Sequence, residues 1–144
     1  MEEIRPDHYK VGIETWDFIV AWGLDFFEGN IVKYISRAGH KTPNKMDDYI
    51  KVYTYAKKLQ THNTGRNNSP EAYSIGVDDY INSWNLKWSE GKIIETICML
   101  SVERRKSDCD HATERIGVLK EKIIKDIELL IAKGVEQVNE RTNN

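Results

Sequence analysis

Asn30, Lys33 and Arg37 are spaced so that an α-helix would place them along one stripe. Each residue turns a helix by about 100°, so side chains three and four positions apart lie on the same side. An amide and two cations in line, with Lys41 shortly after them, suit an oxyanion such as phosphate, because a guanidinium can donate to two oxygens at once. A solvated basic face beside a core is the alternative interpretation, and the spacing alone leaves both open.

Aromatic side chains near this stripe could stack on a base. Tyr34 lies on the same helix and Tyr9 on the segment before it, and neither has an aromatic counterpart in the second half of the chain. Both are therefore ligand candidates, with core packing as the alternative for each ring.

Asp48 and Lys51 are three positions apart and share one face of the following helix. They form either an intrahelical ion pair or an N-terminal cap, or else Asp48 orients Arg37 or Lys33 towards a ligand. If Asp48 orients Arg37 or Lys33, then Asp48 and Lys51 lie just behind the predicted ligand site.

Motifs for catalysis and metal binding are few. The sequence has no P-loop, and no Ser/His/Asp or Cys/His signature can be picked out. Glu14 and Asp17 form an E-x-x-D pair of the kind with which helical pyrophosphohydrolases hold Mg²⁺, but the second acidic pair, Asp47 and Asp48, lacks that spacing. We therefore predict no metal site and no cofactor, with Mg²⁺ considered only if the protein is an enzyme.

The elements that must position these residues are helical. Within residues 25–41, the spacing predicts one helix that ends at Gly39. It also predicts a preceding helix from Glu14 to Trp22, ended by Gly23, and a following helix from Asp47 to about His62. The predicted packing residues are Trp16, Ile19, Val20 and Trp22 in the helix that ends at Gly23, Phe27, Ile31, Tyr34, Ile35 and Ala38 in the central helix, and Tyr49, Val52, Tyr53, Ala56 and Leu59 in the helix after it.

The second half repeats the first. A shift of 62 residues gives eight identities within 19 aligned positions without a gap, and most of the retained residues are apolar or Gly. The stripe is not retained, because Asn30, Lys33 and Arg37 meet Lys92, Glu95 and Met99. A generic solvated face should occur about equally in both copies, so this difference favours a site in the first copy.

We predict an all-α protein of two tandem helical repeats, packed as one bundle with a long C-terminal helix. The first repeat, with the ligand site, covers 1–62, a linker covers 63–74, and the second repeat covers 75–144. The last helix is predicted from Asp110 to about Val138, with a frayed tail. Its apolar seam packs either on its own domain or in a subunit interface, and its length favours a homodimer or higher homo-oligomer. The seam residues are Ala112, Ile116, Leu119, Ile123, Ile127 and Leu130.

Composition excludes several classes. The chain has 144 residues and a net charge of −2, which argues against a general nucleic-acid coat. Two cysteines suit a reducing cytosol, and neither a signal peptide nor a membrane span is predicted, so we expect no membrane partner.

Several short motifs match one family over about residues 5–60. They are Pro6-Asp7-His8-Tyr9-Lys10, Gly12-Ile13-Glu14, Gly29-Asn30-x-x-Lys33-Tyr34-x-x-Arg37, Lys41, and Asp48-x-x-Lys51 with Tyr55 behind it. With these motifs the first half resembles DUF3310, a phage protein family of largely unknown function. The resemblance implies a small helical protein in the cytoplasm of a phage-infected or prophage-bearing bacterium. It also adds His8 and Lys10 to the ligand candidates and Glu14 to their surroundings.

Three functions are compatible with these residues. The first is a binding protein that sequesters a phosphate-bearing nucleotide or a nucleotide-derived immune signal, because the cationic stripe and the aromatics lack a complete catalytic set. The second is implied by the resemblance, since some family members are described as nucleotide kinases acting on deoxynucleoside monophosphates without a P-loop. The third is an inhibitor of a host protein through contact with the long C-terminal helix.

Overall fold

The computed structural model describes residues 11–41, 43–62, 65–68, 74–106 and 110–143, and only the backbone of 110–112 and 136–143. Every regular element in these ranges is a helix, which confirms the all-α class. The helices are α1 Thr15–Trp22, α2 Phe26–Arg37, α3 Lys45–Thr61, α4 Val77–Ser83, α5 Trp88–Arg105 and α6 Asp110–Asn143. Among the described residues, no helix is both long enough and apolar enough to cross a membrane.

The helix ends follow from local chemistry. Gly23 ends α1 in the left-handed region with a φ of 62°, as predicted. The side chain of Asn44 accepts a hydrogen bond from the Met46 backbone N–H at 3.0 Å, so α3 starts before Asp47. The last helix continues to Asn143, so the predicted helix end at about Val138 was wrong.

A capping box fixes the start of α2. Asp25 Oδ1 accepts from the Glu28 N–H at 2.8 Å, and Glu28 Oε1 accepts from the Asp25 N–H at 3.0 Å. This helix ends at Arg37, two residues before Gly39, which takes a φ of 84° in the following turn.

The core lies between α2, α3, α5 and α6, where α3 packs on both α2 and α6 and α5 packs on α6. The predicted inner face of α3 is confirmed, with Tyr53 only partly buried. The seam of α6 packs within its own chain, because Ile123 and Ile127 are fully buried there and Leu130 is nearly so.

The predicted packing face of α1 was wrong in part. Trp16 and Val20 are 75% and 54% exposed, whereas Phe18 and Ala21 are buried. Because α1 is short and apolar on most sides, its own pattern does not select a face. The ring of Phe18 stacks on Tyr80 with centroids 4.1 Å apart, and this contact with the second half of the chain sets which side is buried.

Equivalent positions in the two halves share local structure. Asn85 stands 62 positions after Gly23 and also has a positive φ, 52° against 62°. A β-carbon added to Gly29 would lie 3.2 Å from Ile19, and one added to Gly91 would lie 3.1 Å from Ile81, the residue that corresponds to Ile19.

Reciprocal hydrogen bonds join the two halves. Trp22 Nε1 donates to the Ile75 carbonyl at 2.8 Å, and Trp84 Nε1 donates to the Ile13 carbonyl at 2.8 Å. Asn67, in the predicted linker, is buried and donates from its amide to the Trp22 and Ser101 carbonyls. Residues before and after the predicted linker therefore contribute to one core.

Candidate functional site

Three cationic groups surround the ring of Tyr34. Lys33 Nζ lies 5.3 Å from the ring centroid, Arg37 Cζ 4.6 Å and Lys51 Nζ 5.1 Å. α2 supplies two of these residues and α3 supplies Lys51, because the two helices pack along each other. We call Lys33, Arg37 and Lys51 the cationic cluster. The negative face of the ring attracts positive charge, which offsets part of the repulsion among the three cations.

Asp48 holds one member of the cationic cluster in place. Arg37 Nε donates to Asp48 Oδ1 at 3.0 Å, and the two side chains are only 6% and 3% exposed. Arg37 is therefore a buried cation at the inner edge of the cluster. Lys33 is half-buried and Lys51 is exposed, so these two ammonium groups supply the charge that solvent can reach.

The other predicted site residues are spread around this cluster. The Asn30 amide donates to the Phe26 carbonyl at 2.7 Å, one turn back along α2. Lys41 is exposed beyond the end of α2, and Glu14 is the N-cap residue of α1. His8, Tyr9 and Lys10 lie outside the described residues. The structure thus brings together Lys33, Tyr34, Arg37, Asp48 and Lys51.

A row of aromatic rings continues from the cationic cluster along α2 and α3. Tyr34 stacks on Tyr55 with ring centroids 5.8 Å apart, and Tyr55 and Phe26 meet edge to face with centroids 5.9 Å apart. Phe26 in turn contacts Phe27 at 5.7 Å, and Phe27 lies 5.0 Å from His62. We call these five side chains the aromatic row.

Sequence reasoning missed most of the aromatic row, although one signal was present. Lys51, Tyr55, Lys58 and His62 recur at steps of four, three and four residues along α3, which places them on one face. Lys58 Nζ lies 5.9 Å from the Tyr55 ring, so a fourth cation accompanies the row. The contact of this face with Phe26 and Tyr34 depends on how α2 packs and cannot be read from spacing.

The cationic cluster and the first four rings of the aromatic row fall within one stretch of related sequence. Residues 4–57 match the DUF3310 family, described as a protein of unknown function. The DUF3310 match confirms the resemblance predicted over about residues 5–60. It ends within α3, before Lys58 and His62, and does not include α4, α5 or α6. No curated protein and no solved structure matched the chain.

Two buried carboxylates, Glu28 within the DUF3310 match and Glu90 outside it, join helices of the core. Glu28 is fully buried and accepts from Arg104 Nε at 3.1 Å, so α2 is tied to α5. Burial raises the pKa of Glu28, and the hydrogen bond from Arg104 opposes that shift. Glu90, at the equivalent position of α5, accepts from the Tyr49 hydroxyl at 2.7 Å, and burial together with this bond raises the Tyr49 pKa.

These carboxylates do not gather into a metal site. In the described part of the chain, no three His, Cys, Asp or Glu side chains come together as possible ligands.

The second half has a cleft that is lined by acidic and apolar side chains. Its volume is about 620 Å³, and its lining includes Asp78, Asp79 and Glu95 beside Trp22 and Met99. In the repeat alignment, Glu95 stands in the place of Lys33 and Met99 in the place of Arg37. The half outside the DUF3310 match therefore has acidic and apolar groups where the first half has cations.

Proposed function

We propose that this protein binds a phosphate-bearing nucleotide, or a signal derived from one, at the cationic cluster. The observation that supports this most directly is the approach of Lys33, Arg37 and Lys51 to within 5.3 Å of the Tyr34 ring centroid. Cations gathered at one point repel each other unless an anion neutralises them. The three cations together with Asp48, which pairs with Arg37, carry more positive than negative charge.

Phosphate suits this arrangement better than a carboxylate ligand does. A phosphate group has several acceptor oxygens and carries up to two negative charges near neutral pH, which matches two accessible ammonium groups. The neighbouring rings offer a surface on which a base can stack. A nucleotide combines both features in one molecule.

The biological setting is part of the same proposal. The protein is encoded by a phage, acts in the cytoplasm of the bacterial host, and sequesters its ligand without chemical change. It arose by duplication of one helical unit, and the first copy retained the site while the second became structural. The matching turns at Gly23 and Asn85 and the reciprocal bonds of Trp22 and Trp84 support the duplication. The division at residues 63–74 and a homodimer stay predictions.

Analysis of copurifying small molecules tests the proposal. The full chain is purified from phage-infected cells and denatured, and the released molecules are identified by mass spectrometry. We expect an intact nucleotide-type ligand in stoichiometric amount, and a Lys33→Ala, Lys51→Ala variant should lose it. Lys92→Ala, in the second half, is the matched control and should retain it.

The alternatives give different results in the same preparation. A nucleotide kinase would convert added monophosphates to diphosphates when ATP and Mg²⁺ are supplied, whereas sequestration leaves the ligand unchanged. An inhibitor of a host protein would carry no nucleotide, and its partner binding would be unaffected in the Lys33→Ala, Lys51→Ala variant. Absence of any phosphate-bearing ligand from the wild-type protein would contradict the proposal.

A further inference from the structure

We infer that the aromatic row binds a short single-stranded oligonucleotide, of two or three nucleotides, whose backbone follows the lysines beside it. This inference rests on the proposed function, because it places one phosphate of the strand at the cationic cluster. It goes further by assigning a ligand class and by adding Phe26, Tyr55, Lys58 and His62 to the site.

The geometry of the aromatic row suits consecutive bases. From Tyr34 to Phe26, two ring contacts of 5.8 and 5.9 Å lead away from the cationic cluster, and Phe27 extends the row to His62. Phe26 is 69% exposed and His62 is exposed as well, so ring surface is available at the far end of the row. Contact of an exposed Phe ring with water is unfavourable in free energy, and a base of any identity can cover the ring by stacking on it.

Cations occur along the whole row as well as at the cationic cluster. Lys33 and Lys51 lie beside Tyr34, and Lys58 Nζ lies 5.9 Å from the Tyr55 ring. At the other end, Lys120 of α6 donates from its ammonium group to the His62 carbonyl at 3.1 Å. A mononucleotide could use the charge at the cationic cluster only, whereas a strand with several phosphates could also reach Lys58.

The length of the row limits the strand. Tyr34 lies eight positions after Phe26 along α2, which at 1.5 Å per residue is about 12 Å. Only a few nucleotides fit alongside such a distance. The net charge of −2 on the whole chain agrees with a short local site, because a long nucleic acid would also meet acidic surface.

Isothermal titration of the full chain with oligodeoxythymidylates of one to six nucleotides tests the inference. We expect the trinucleotide to bind at least tenfold more tightly than thymidine 5′-monophosphate, and longer strands to gain less than twofold. For a strand held by two or three phosphate contacts, the slope of log affinity against log salt should be about −1.4 to −2.1, and Lys58→Ala should reduce it by about 0.7.

Phe26→Ala tests the aromatic row itself. We expect this variant to bind the trinucleotide about tenfold more weakly while its affinity for the monophosphate changes less than twofold. Trp88→Ala is the matched control, because Trp88 is the corresponding first residue of α5 and is 79% exposed. Both side chains lie in solvent, so circular dichroism should show unchanged helix content in both variants.

The outcomes separate this inference from the proposed function. Equal affinity for the monophosphate and the trinucleotide, or an equal loss of trinucleotide binding in the Phe26 and Trp88 variants, overturns the oligonucleotide assignment and leaves phosphate binding intact. Failure of every strand to bind overturns it too. The proposed function is tested separately, by the molecule that copurifies with the protein.

Discussion

Arg37 shows how a single buried charge can belong both to the fold and to the proposed binding site. Its guanidinium donates to Asp48 and also lies over the Tyr34 ring, close to which the ammonium groups of Lys33 and Lys51 lie as well. A buried cation is stable only if it is paired, because removal from water costs several kcal/mol per ion. Asp48 supplies that pairing through Arg37 Nε, and it would thereby fix the direction in which Arg37 donates to the proposed ligand.

Asp48→Asn should therefore destabilise the protein strongly. The substitution leaves Arg37 buried without its carboxylate, and losing one partner of a buried pair costs about 3–5 kcal/mol. Urea unfolding monitored by circular dichroism measures the change in the free energy of unfolding. Asp47→Asn is the control, because Asp47 is the exposed neighbour in the first turn of α3, and its effect should stay within about 0.5 kcal/mol.

A ligand should reverse part of this loss if Arg37 belongs to an anion site. Added phosphate should raise the midpoint of unfolding more in the Asp48→Asn variant than in the Asp47→Asn variant, since an anion can replace the missing carboxylate. Equal stability of the two variants without phosphate would show that the Arg37–Asp48 pair contributes little.

At the scale of the helices, sequence spacing predicted the buried faces of α3 and α6 but not the buried face of α1. The cap at Asn44 starts α3 before the predicted Asp47, whereas Gly23 ends α1 through backbone chemistry that depends only on neighbouring residues, so that end was readable. The exposed face of α1 was not, because Trp16 and Val20 are as apolar as the buried Phe18, and the choice depends on Tyr80 in the other half. Local rules therefore succeed where the partners are local.

The turns after α1 and α4 give a test of one such rule. Gly23 and Asn85 both have positive φ, which costs any residue with a β-carbon about 1–2 kcal/mol, and less for Asn. Gly23→Ala should lower the free energy of unfolding by about 1 kcal/mol, whereas Asn85→Gly should leave it unchanged or raise it slightly. Thermal melts of the two variants measure this difference. A melt in which both variants lose stability equally would show that the two turns are not equivalent.

At the scale of the whole molecule, the sequence repeat indicated two similar halves but not how they meet. Glu28 recurs as Glu90, yet the first pairs with Arg104 of α5 and the second with Tyr49 of α3. Neither partner is near its carboxylate in sequence. Phe26 and Tyr55 are also far apart in the sequence, so their contact could not be predicted from spacing. Spacing could predict that Lys33 and Arg37 lie together, because they share one helix. The aromatic row could not be predicted in this way, because it depends on how α2 and α3 pack.

The reciprocal tryptophan bonds predict that the two halves unfold together. Trp84 is 1% exposed and donates to the Ile13 carbonyl, so Trp84→Phe removes a donor, leaves that carbonyl without this bond and opens space in a shared core. We expect a loss of about 2–4 kcal/mol, and a smaller loss of about 1–2 kcal/mol for Trp22→Phe, whose side chain is only partly buried. Urea unfolding followed by far-ultraviolet circular dichroism should show one transition with an unchanged slope in both variants, because elements from each half complete the core of the other. Two resolved transitions, with only one of them moved by Trp84→Phe, would mean that the halves are separate folding units and that the Trp bonds merely dock them.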